Sequence, residues 1–383
     1  MKRVVVLGIS GSIGRQTLKV IEDNPQLFCL VGASVNNSIA FLNDVIARHP
    51  EMEICCIGKE EDKSRVNHDK VYYGSAGLGI LAAYSEADIV VNALLGYVGL
   101  MPTLAAIKAD NDVAIANKEA LVCGGEFINR ELKNHKSKIY PIDSEHSAIY
   151  QCLAGEDKKK VKRLIITASG GPFRNVSLKD LGNVTKKEAL KHPTWSMGEK
   201  ITIDSATLVN KGLEIIEAHY LFGMPYDKIT PVIHPESIVH SMVEFVDGSI
   251  KAQLGKPTME VPILYALNGG KRSLKTDSYL SFEDKLNLHF EPLDFKRFKA
   301  VALAYKVGEM GGNMPLVYSV SNEMVVHAFL KDEILFKDIV DIIEDVVSNS
   351  PYYELTDENL LEVAIKETRE LTRSFINKRK ESE

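Results

Sequence analysis

The sequence predicts an α/β protein with an N-terminal parallel-sheet domain, a central α+β domain and a C-terminal α-helical bundle. Strand and helix patterns alternate over roughly the first 140 residues, which is typical of a doubly wound parallel sheet. Asp247-Gly248 separates two alternating runs, 238–246 and 249–254, and this dipeptide indicates a β-hairpin. Four helical patterns then follow with few strand signals between them. The predicted boundaries are 1–143, 144–268, a linker at 269–292, and 293–383.

Composition is that of an ordinary globular chain. Its 383 residues, 45% hydrophobic and 26% charged, are enough for two or three domains. The net charge of −6 gives no general basic surface, so nucleic acid is not an expected partner. No stretch approaches the roughly 20 apolar residues of a membrane span, and the five cysteines form no metal-binding pattern. We expect reduced thiols, no membrane contact and a cytoplasmic location.

A glycine-rich turn connects the first predicted strand, 4–7, to the first predicted helix, 13–23. Gly8 permits a tight turn, Gly11 lets the backbone approach a pyrophosphate, and Gly14 lets helix and strand pack closely. The phosphates would then lie at the helix N-terminus. The spacing indicates a Rossmann-like dinucleotide site, although a purely structural strand–helix turn would show the same spacing.

The end of the second predicted strand, 28–35, distinguishes between dinucleotide cofactors. NAD sites commonly place an acidic residue there, where it binds the ribose 2′-hydroxyl. This chain has Asn36 and Asn37 and no carboxylate before Asp44. The amides favour NADP, although the segment has no Lys or Arg to neutralise the 2′-phosphate.

Lys118 lies between Asn117 and Glu119, directly after the predicted strand 113–116. Parallel sheets bind ligands at this edge, where a lysine is suited to donate a proton or to neutralise an oxyanion. A lysine at a helix start is also commonly exposed to solvent, so the position alone leaves both interpretations open.

An acidic pair ends the predicted strand 139–142. On an extended backbone, Asp143 and Glu145 would point to the same side. Carboxylate oxygens without nitrogen or sulfur ligands suit a hard cation, Mg²⁺ or Mn²⁺, and do not suit zinc. A helix N-cap or a solvated turn is the alternative. A third carboxylate would favour the metal, and Glu214 is the candidate.

Ser169, Gly170 and Gly171 follow the predicted strand 163–168. Two glycines leave backbone N–H groups accessible, so this segment is a candidate anion site. A simple turn is the alternative.

The segment 187–200 carries Trp195, the one tryptophan of the chain, and Met197 among polar and glycine residues. A large aromatic side chain in such a stretch suits a flap that closes over a ligand and excludes water. Packing of Trp195 against the surface of its own domain is the alternative.

A predicted helix that starts at Asp204 carries an unusual group of polar residues. Asn210 and Glu214 are four residues apart, and Lys211 and Glu214 are three apart, so their side chains project from one side. A cation, an amide and a carboxylate together predict a site for an anionic, oxygen-rich ligand. A solvated helix face with an internal ion pair is the alternative.

Seven segments together resemble a known enzyme family, and they follow the family's order along essentially the whole chain. They are GISGSIG, ANKEALVCGG, PIDSEHSAIYQCL, ASGGPF, HPTWSMGEKITIDSATLVNKGLEIIEAHYLF, IHPESIVHSMVEFVDGSIKAQLG and SNEMVVHAFL. The chain resembles the 1-deoxy-D-xylulose 5-phosphate reductoisomerases, which are NADPH- and metal-dependent enzymes of the non-mevalonate isoprenoid pathway.

The resemblance implies a specific reaction. A divalent metal, Mg²⁺ or Mn²⁺, would hold two adjacent oxygens of 1-deoxy-D-xylulose 5-phosphate while the carbon skeleton rearranges. NADPH would then reduce the resulting aldehyde to 2-C-methyl-D-erythritol 4-phosphate. Residues 1–143 become the NADPH-binding domain, 144–268 the catalytic and dimerisation domain, and a homodimer is expected. Two other functions stay open: a dehydrogenase of the semialdehyde or homoserine type, and a regulator that binds NADP without turnover.

The same motifs assign roles to individual residues. The implied metal ligands are Asp143, Glu145 and Glu214. The substrate phosphate is expected at Ser169, Ser205, Asn210 and Lys211, the sugar at Lys118, Ser144, Glu145, His192 and Glu214, and the flap at Trp195 and Met197. The expected catalytic residues are Lys118, Glu145 and His192. NADPH contacts are expected at Ser10, Gly11, Ser12, Ile13, Asn117, Glu119 and Gly198, beside Gly8, Asn36 and Asn37.

Two positions depart from the family pattern. Ser10 stands where the family usually has threonine, which keeps the hydroxyl. Asn36-Asn37 replace a Gly-Lys or Gly-Arg pair that many members carry near the NADP 2′-phosphate, so this chain lacks that charge there.

Overall fold

A computed structural model describes residues 1–177, 180–191, 195, 197–272, 278–283 and 285–381. The chain divides into two compact units. The first consists of residues 1–151 and 258–279, and the second of residues 152–257 and 280–383. The first unit is therefore built from two separate stretches of chain.

Strands and helices alternate through the first stretch of the first unit, as the sequence predicts. They are β1 (Lys2–Leu7), α1 (Ser12–Asp23), β2 (Phe28–Ser34), α2 (Ile39–Arg48), β3 (Ile54–Ile57), β4 (Val71–Tyr73), α3 (Gly74–Ala82), β5 (Ile89–Asn92), α4 (Leu100–Lys108), β6 (Asp112–Ile115), α5 (Lys118–Asn134), β7 (Ile139–Pro141) and α6 (Ser144–Leu153). The sequence did not predict β4 and α3. Glycine disfavours helix, and α3 forms where Gly77 packs closely against the Cys56 side chain of β3.

Seven parallel strands form the sheet of the first unit, in the order β4-β3-β2-β1-β5-β6-β7. The order reverses beside β1, because the chain crosses from β4 to the far side of β1 to form β5. In open α/β sheets, ligands bind outside the carboxyl ends of the strands at such a reversal. The glycine turn follows β1 and therefore lies at this point.

The first stretch of the second unit contains a hairpin. Its elements are β8 (Val161–Ala168), α7 (Lys186–Ala189), α8 (Glu199–Thr207), α9 (Val209–Phe222), β9 (Ile229–Ile233), β10 (Val239–Phe245) and β11 (Ile250–Leu254). β10 and β11 are antiparallel, and Gly248 between them has a φ of +86°. The predicted Asp-Gly hairpin is confirmed.

The chain then returns to the first unit as α10 (Glu260–Leu267). Ile263, Ala266 and Leu267 are fully buried there, in the same core as Val4 and Leu30 of β1 and β2. Each large apolar side chain buried in this way contributes about 1.5–3 kcal/mol. The core of the first unit is thus completed by a helix that lies more than a hundred residues further along the chain.

A mixed five-stranded sheet and a set of helices make up the rest of the second unit. β12 (Glu291–Pro292) pairs with β9, and the strand order is β11-β10-β8-β9-β12, with β8 and β9 parallel. The C-terminal helices are α11 (Lys299–Met310), α12 (Met314–Leu330), α13 (Asp338–Asn349) and α14 (Glu358–Glu381). The predicted bundle is confirmed. α12 starts at Met314, and Pro315 suits its first helical turn.

None of the helices within the described ranges is both long and apolar enough to span a membrane.

Candidate active site

The β1–α1 turn leaves no room for a side chain at Gly8 or Gly14. Gly8 has a φ of +77°, and a Cβ atom there would lie 2.8 Å from the carbonyl oxygen of Ala93, which follows β5. A Cβ atom on Gly14 would lie 2.2 Å from the Gly8 oxygen, so the helix packs directly on the turn. Helix α1 begins after Gly11, and within the described part of the chain no side chain caps it. Backbone N–H groups presented in this way suit a pyrophosphate.

The turn brings five of the predicted cofactor residues together: Gly8, Ser10, Gly11, Ser12 and Ile13. Ser34, at the end of β2, is buried, and its hydroxyl accepts a hydrogen bond from the Gly8 N–H at 2.9 Å. Ser34 therefore stabilises the turn. Asn36 and Asn37 follow β2 and are exposed.

Asn117 fixes the start of α5. Its side-chain oxygen accepts the N–H of Ala120 at 2.7 Å, which caps the helix. Its Nδ2 donates to the carbonyl oxygens of Leu94 and Gly96, at 2.8 and 2.9 Å. The segment after β5 is thereby tied to the residue that precedes Lys118.

Lys118 is buried, so the solvent-exposed alternative is wrong. Its Nζ lies 2.8 Å from a carboxylate oxygen of Asp143, and the Nδ1 of His146 lies 3.7 Å from the same oxygen. Burial alone would raise the pKa of Asp143, but the nearby Lys118 and His146 side chains hold this pKa well below its ordinary value. Asp143 is therefore ionised at neutral pH, as a metal ligand must be. Glu119 is buried as well.

The acidic pair does not lie on an extended backbone, so that geometric prediction is wrong. β7 ends at Pro141, and Ser144 and Glu145 form the first turn of α6. The Asp143 carbonyl oxygen accepts the Ser147 N–H at 2.7 Å, and the Ser144 hydroxyl donates to Glu145 at 2.5 Å. Asp and Ser are typical of helix starts, where the helix dipole favours negative charge. The helix-start alternative gives the correct geometry.

The helix predicted from Asp204 is two helices. Leu208 has left-handed backbone angles, φ 59° and ψ 16°, so it ends α8 and begins α9. This conformation costs a residue with a side chain roughly 1–3 kcal/mol, and the buried Leu208 side chain helps to offset it. The break places Asn210 and Lys211 in the first turn of a new helix, whose N–H groups are directed toward its start.

Lys211 and Glu214 are only 2% and 1% exposed, so the solvated-face alternative is wrong. The Lys211 ammonium forms an ion pair with Glu214 and donates a hydrogen bond to the carbonyl oxygen of Thr167, near the end of β8. The Asn210 amide donates to the other Glu214 oxygen. Apolar residues usually stabilise a fold as well as a buried ion pair does. Because stability alone does not require a buried ion pair here, its presence indicates a functional role.

The loop after β8 contacts the end of α8. Gly170 and Gly171 both have positive φ, 82° and 68°. A Cβ atom on Gly171 would lie 2.7 Å from the carbonyl oxygen of Ser205. Within the second unit, the predicted phosphate residues thus lie around the end of β8; they are Ser169, Ser205, Asn210 and Lys211. That they bind phosphate stays a prediction.

The predicted flap is described in part. Trp195 is half-buried, and its ring centroid lies 6.3 Å from that of His240 on β10. Met197 is half-buried, and Gly198 precedes α8 as its N-cap. His192 lies outside the described residues. Movement of this segment stays a prediction.

The sequence did not predict a role for a buried carboxylate on α8. Asp204 is 1% exposed, forms an ion pair with Lys200 at 2.8 Å, and accepts a hydrogen bond from the Asn322 Nδ2 on α12 at 2.8 Å. These contacts hold α8, and with it Ser205, against the C-terminal helices. The i,i+4 spacing of Lys200 and Asp204 was visible in the sequence, but the Asn322 contact was not.

Comparison with known proteins identifies the family. A family model described as 1-deoxy-D-xylulose 5-phosphate reductoisomerase matches residues 4–125, and two models of C-terminal domains of the same enzyme match residues 139–222 and 254–373. The chain belongs to the 1-deoxy-D-xylulose 5-phosphate reductoisomerase family. Reductoisomerases from Bacillus cereus (strain AH187) and Clostridium novyi (strain NT) are 48% and 44% identical to it. These matches cover 91% and 98% of this chain, and 93% and 98% of those proteins.

Solved reductoisomerase structures have the same fold. The Zymomonas mobilis enzyme in complex with NADPH matches with a TM-score of 0.91 at 37% identity, over 98% of this chain and 99% of that chain. A reductoisomerase in complex with NADPH, fosmidomycin and magnesium matches with a TM-score of 0.91 at 34% identity, over 98% of each chain. The predicted family and the predicted α/β fold with its Rossmann-like domain are therefore confirmed.

Proposed function

We propose that this protein catalyses the NADPH-dependent rearrangement and reduction of 1-deoxy-D-xylulose 5-phosphate to 2-C-methyl-D-erythritol 4-phosphate, with Mg²⁺ or Mn²⁺. One observation carries the proposal: the match over 98% of the chain to a reductoisomerase that binds NADPH, fosmidomycin and magnesium. The β1–α1 turn and the buried polar groups of α9 supply the local chemistry that such a reaction requires.

The glycine turn fits NADPH, the source of hydride. A Cβ atom at Gly8 or Gly14 would overlap the neighbouring backbone, so β1 and α1 pack closely, and no side chain in the described part of the chain caps the N-terminus of α1. This is what close approach of a pyrophosphate demands. We assign the cofactor contacts to Gly8, Ser10, Gly11, Ser12, Ile13, Asn36, Asn37, Asn117, Glu119 and Gly198.

Asp143, Glu145 and Glu214 are the proposed metal ligands. They offer only carboxylate oxygens, which Mg²⁺ and Mn²⁺ prefer. A bound divalent metal polarises the oxygens of the substrate as a Lewis acid. Lys118 keeps Asp143 ionised and is placed to assist proton transfer, while Lys211 orients Glu214.

The residues around the end of β8 are the proposed phosphate site. Lys211 supplies a positive charge, and Gly170 and Gly171 both have positive φ, as in backbone loops that bind anions. Binding energy at the phosphate, remote from the reacting carbons, orients the sugar. The phosphate site consists of Ser169, Ser205, Asn210 and Lys211, and the sugar site of Lys118, Ser144, Glu145, His192, Trp195 and Met197. Within the sugar site, Lys118, Glu145 and His192 are the proposed catalytic residues.

The test is the oxidation of NADPH, followed by absorbance, with 1-deoxy-D-xylulose 5-phosphate present. Turnover is expected only when NADPH, the sugar phosphate and Mg²⁺ or Mn²⁺ are all supplied, and it stops when a chelator is added. Turnover without metal would favour a dehydrogenase of the homoserine type. NADPH binding without turnover under any condition would favour a regulator, and either result rejects the proposal.

We propose a homodimer formed through strand β11. This strand is at one edge of the five-stranded sheet, and Ile250 and Leu254 on it are exposed. An exposed strand edge can pair with a second copy and extend the sheet. Light scattering should give the mass of two chains, and changing both residues to lysine should give the mass of one. The cytoplasmic location and the four-part domain division stay predictions.

A further inference from the structure

The end of β2 lacks the charge that the ribose 2′-phosphate of NADP requires. In dinucleotide sites, the residue at this position or an arginine nearby distinguishes the 2′-hydroxyl from the 2′-phosphate. Here β2 ends at Ser34, and the exposed residues that follow, Asn36 and Asn37, are neutral. If NADP binds here, a cation must reach this position from another part of the first unit.

Arg15 on α1 is such a cation. Its Nε donates a hydrogen bond to the carbonyl oxygen of Ser10 in the glycine turn, at 2.9 Å. Its guanidinium carbon lies 4.0 Å from the centre of the Phe41 ring. Phe41 is in the first turn of α2, four residues after Asn37. The exposed guanidinium therefore extends from the glycine turn to the segment that follows β2.

Two contacts position the Arg15 guanidinium. The aromatic face supports the cation, and the Ser10 bond fixes one edge. Among the polar contacts of the described residues, Arg15 uses only its Nε. The two amino groups stay available as the fork that binds phosphate through two parallel hydrogen bonds.

Lys59 is a second cation near the same segment. The Gly58 N–H donates to the carbonyl oxygen of Asn36 at 2.9 Å, so the end of β3 lies directly beside the turn after β2. Lys59 is the next residue, and its ammonium lies 3.2 Å from Glu61. Its side chain is 64% exposed and carries a flexible point charge, so its contribution should be smaller than that of Arg15.

We infer that Arg15 binds the 2′-phosphate of NADPH and makes the enzyme prefer NADPH over NADH, with Lys59 as a weaker second contact. The inference rests on the proposed use of NADPH. In this arrangement, an arginine on α1 supplies the positive charge that the segment after β2 lacks. The alternative is that Arg15 only packs on Phe41 and does not contact the cofactor.

Calorimetry on the full-length protein tests the inference without turnover, with 2′,5′-ADP and 5′-AMP as probes. Wild type should bind 2′,5′-ADP more tightly. Arg15→Gln should weaken 2′,5′-ADP binding by about 10- to 100-fold, the range for a charge-assisted contact, and leave 5′-AMP binding unchanged. Arg15→Lys, which keeps the charge but not the fork, should lie between the two.

Arg48→Gln is the matched control. It removes the same charge from the far end of α2, where Arg48 pairs with Glu22 and Asp44. It should change the affinity for either probe by no more than about twofold, because exposed charges are screened by salt. Lys59→Gln should weaken 2′,5′-ADP binding less than Arg15→Gln does. Equal losses for both probes in Arg15→Gln would show a packing role, and no loss for either would exclude the contact. Both outcomes overturn the inference.

Kinetics separate this inference from the proposed function. For Arg15→Gln, kcat/KM should fall with NADPH and hold with NADH, so the ratio of the two approaches one. If wild type binds 2′,5′-ADP through Arg15 but never oxidises NADPH with the sugar phosphate, the proposed function fails and the inference stands. If turnover is normal and Arg15→Gln keeps its preference for NADPH, the inference fails alone.

Discussion

The β1–α1 turn of the first unit and the start of α9 in the second unit differ in the groups that form them. The turn consists of backbone, with glycines where any Cβ atom would overlap a carbonyl oxygen. The start of α9 consists of buried charge, with Lys211, Glu214 and Asn210 bonded to one another and to the end of β8. Substitutions in the turn should therefore act through shape, and substitutions on α9 through electrostatics.

This difference also explains what sequence can and cannot reveal. A backbone site requires glycine at fixed spacing, so its pattern is visible in the chain. A buried charged site is made of residue types that are common on surfaces, and only the tertiary structure distinguishes the two. The comparison yields four predictions.

The largest effect is expected for Glu214→Gln. The change keeps the shape but removes a proposed metal ligand and the partner charge of buried Lys211. Turnover at saturating Mg²⁺ should fall by about 1,000-fold, since a metal contributes several kcal/mol to the transition state. NADPH binding, followed by fluorescence, should stay at its wild-type value. Activity near wild type would exclude Glu214 as a ligand.

Lys211→Ala should raise KM for the sugar phosphate by about 10- to 100-fold, the range for a charged hydrogen bond, and change KM for NADPH less. Steady-state kinetics with each substrate varied in turn measures both values. Lys299→Ala is the control, because Lys299 pairs with Asp341 on the surface and should leave both values unchanged. An equal rise in both KM values would contradict phosphate contact.

Gly14→Ala tests the role of shape. The new Cβ atom would lie 2.2 Å from the Gly8 oxygen, so α1 must move away from the turn. We expect a loss of roughly 1–3 kcal/mol in the free energy of unfolding, as for overpacked cores, and about tenfold weaker NADPH binding. Urea unfolding and NADPH titration provide the two measurements.

Gly79→Ala on α3 is the matched control for Gly14→Ala. A Cβ atom at Gly79 would meet nothing within 4 Å, so alanine should stabilise the helix by about 0.5–1 kcal/mol. If both substitutions had the same effect, the close packing of α1 on the turn would not be what matters at Gly14.

The smallest effect is expected for Asn322→Ala. Asp204 would lose one hydrogen bond but keep its ion pair with Lys200. The free energy of unfolding should fall by about 1–3 kcal/mol, and KM for the sugar phosphate should rise a few-fold because α8 carries Ser205. Asn349→Ala, which removes an exposed amide bonded within α13, should do neither. If only KM for NADPH rose, the result would contradict a role of α8 in holding the phosphate site.

The fold was predictable where local pattern and tertiary structure agree. The glycine turn, the Asp-Gly hairpin and the C-terminal helices each have a pattern that is visible within a short stretch of sequence. The break at Leu208 was not predictable, because leucine is not a residue that signals left-handed angles. The sequence alone does not decide the start of α6 at Ser144, because acidic residues after a strand suit both a strand end and a helix start.

Candidate site residues could be named from the sequence, but their environment could not. Lys118 and Lys211 were identified from position and from family resemblance, but both were compatible with a solvated surface. Their burial depends on Asp143 and Glu214 being supplied as partners, which spacing alone does not establish. A role for Arg15 at the 2′-phosphate could not be predicted from the sequence, because the residue that usually distinguishes the two cofactors lies at the end of β2, whereas Arg15 is on α1.

The return of α10 to the first unit has a consequence for biosynthesis. Ile263, Ala266 and Leu267 are fully buried in a core whose other members are almost all within residues 1–151. During synthesis, an apolar face of the first unit stays exposed until the ribosome has added the hundred or so residues up to α10. Long-range contacts of this kind also slow folding. A truncated protein that ends at residue 151 should therefore be prone to aggregation, although its seven-stranded sheet is complete in sequence.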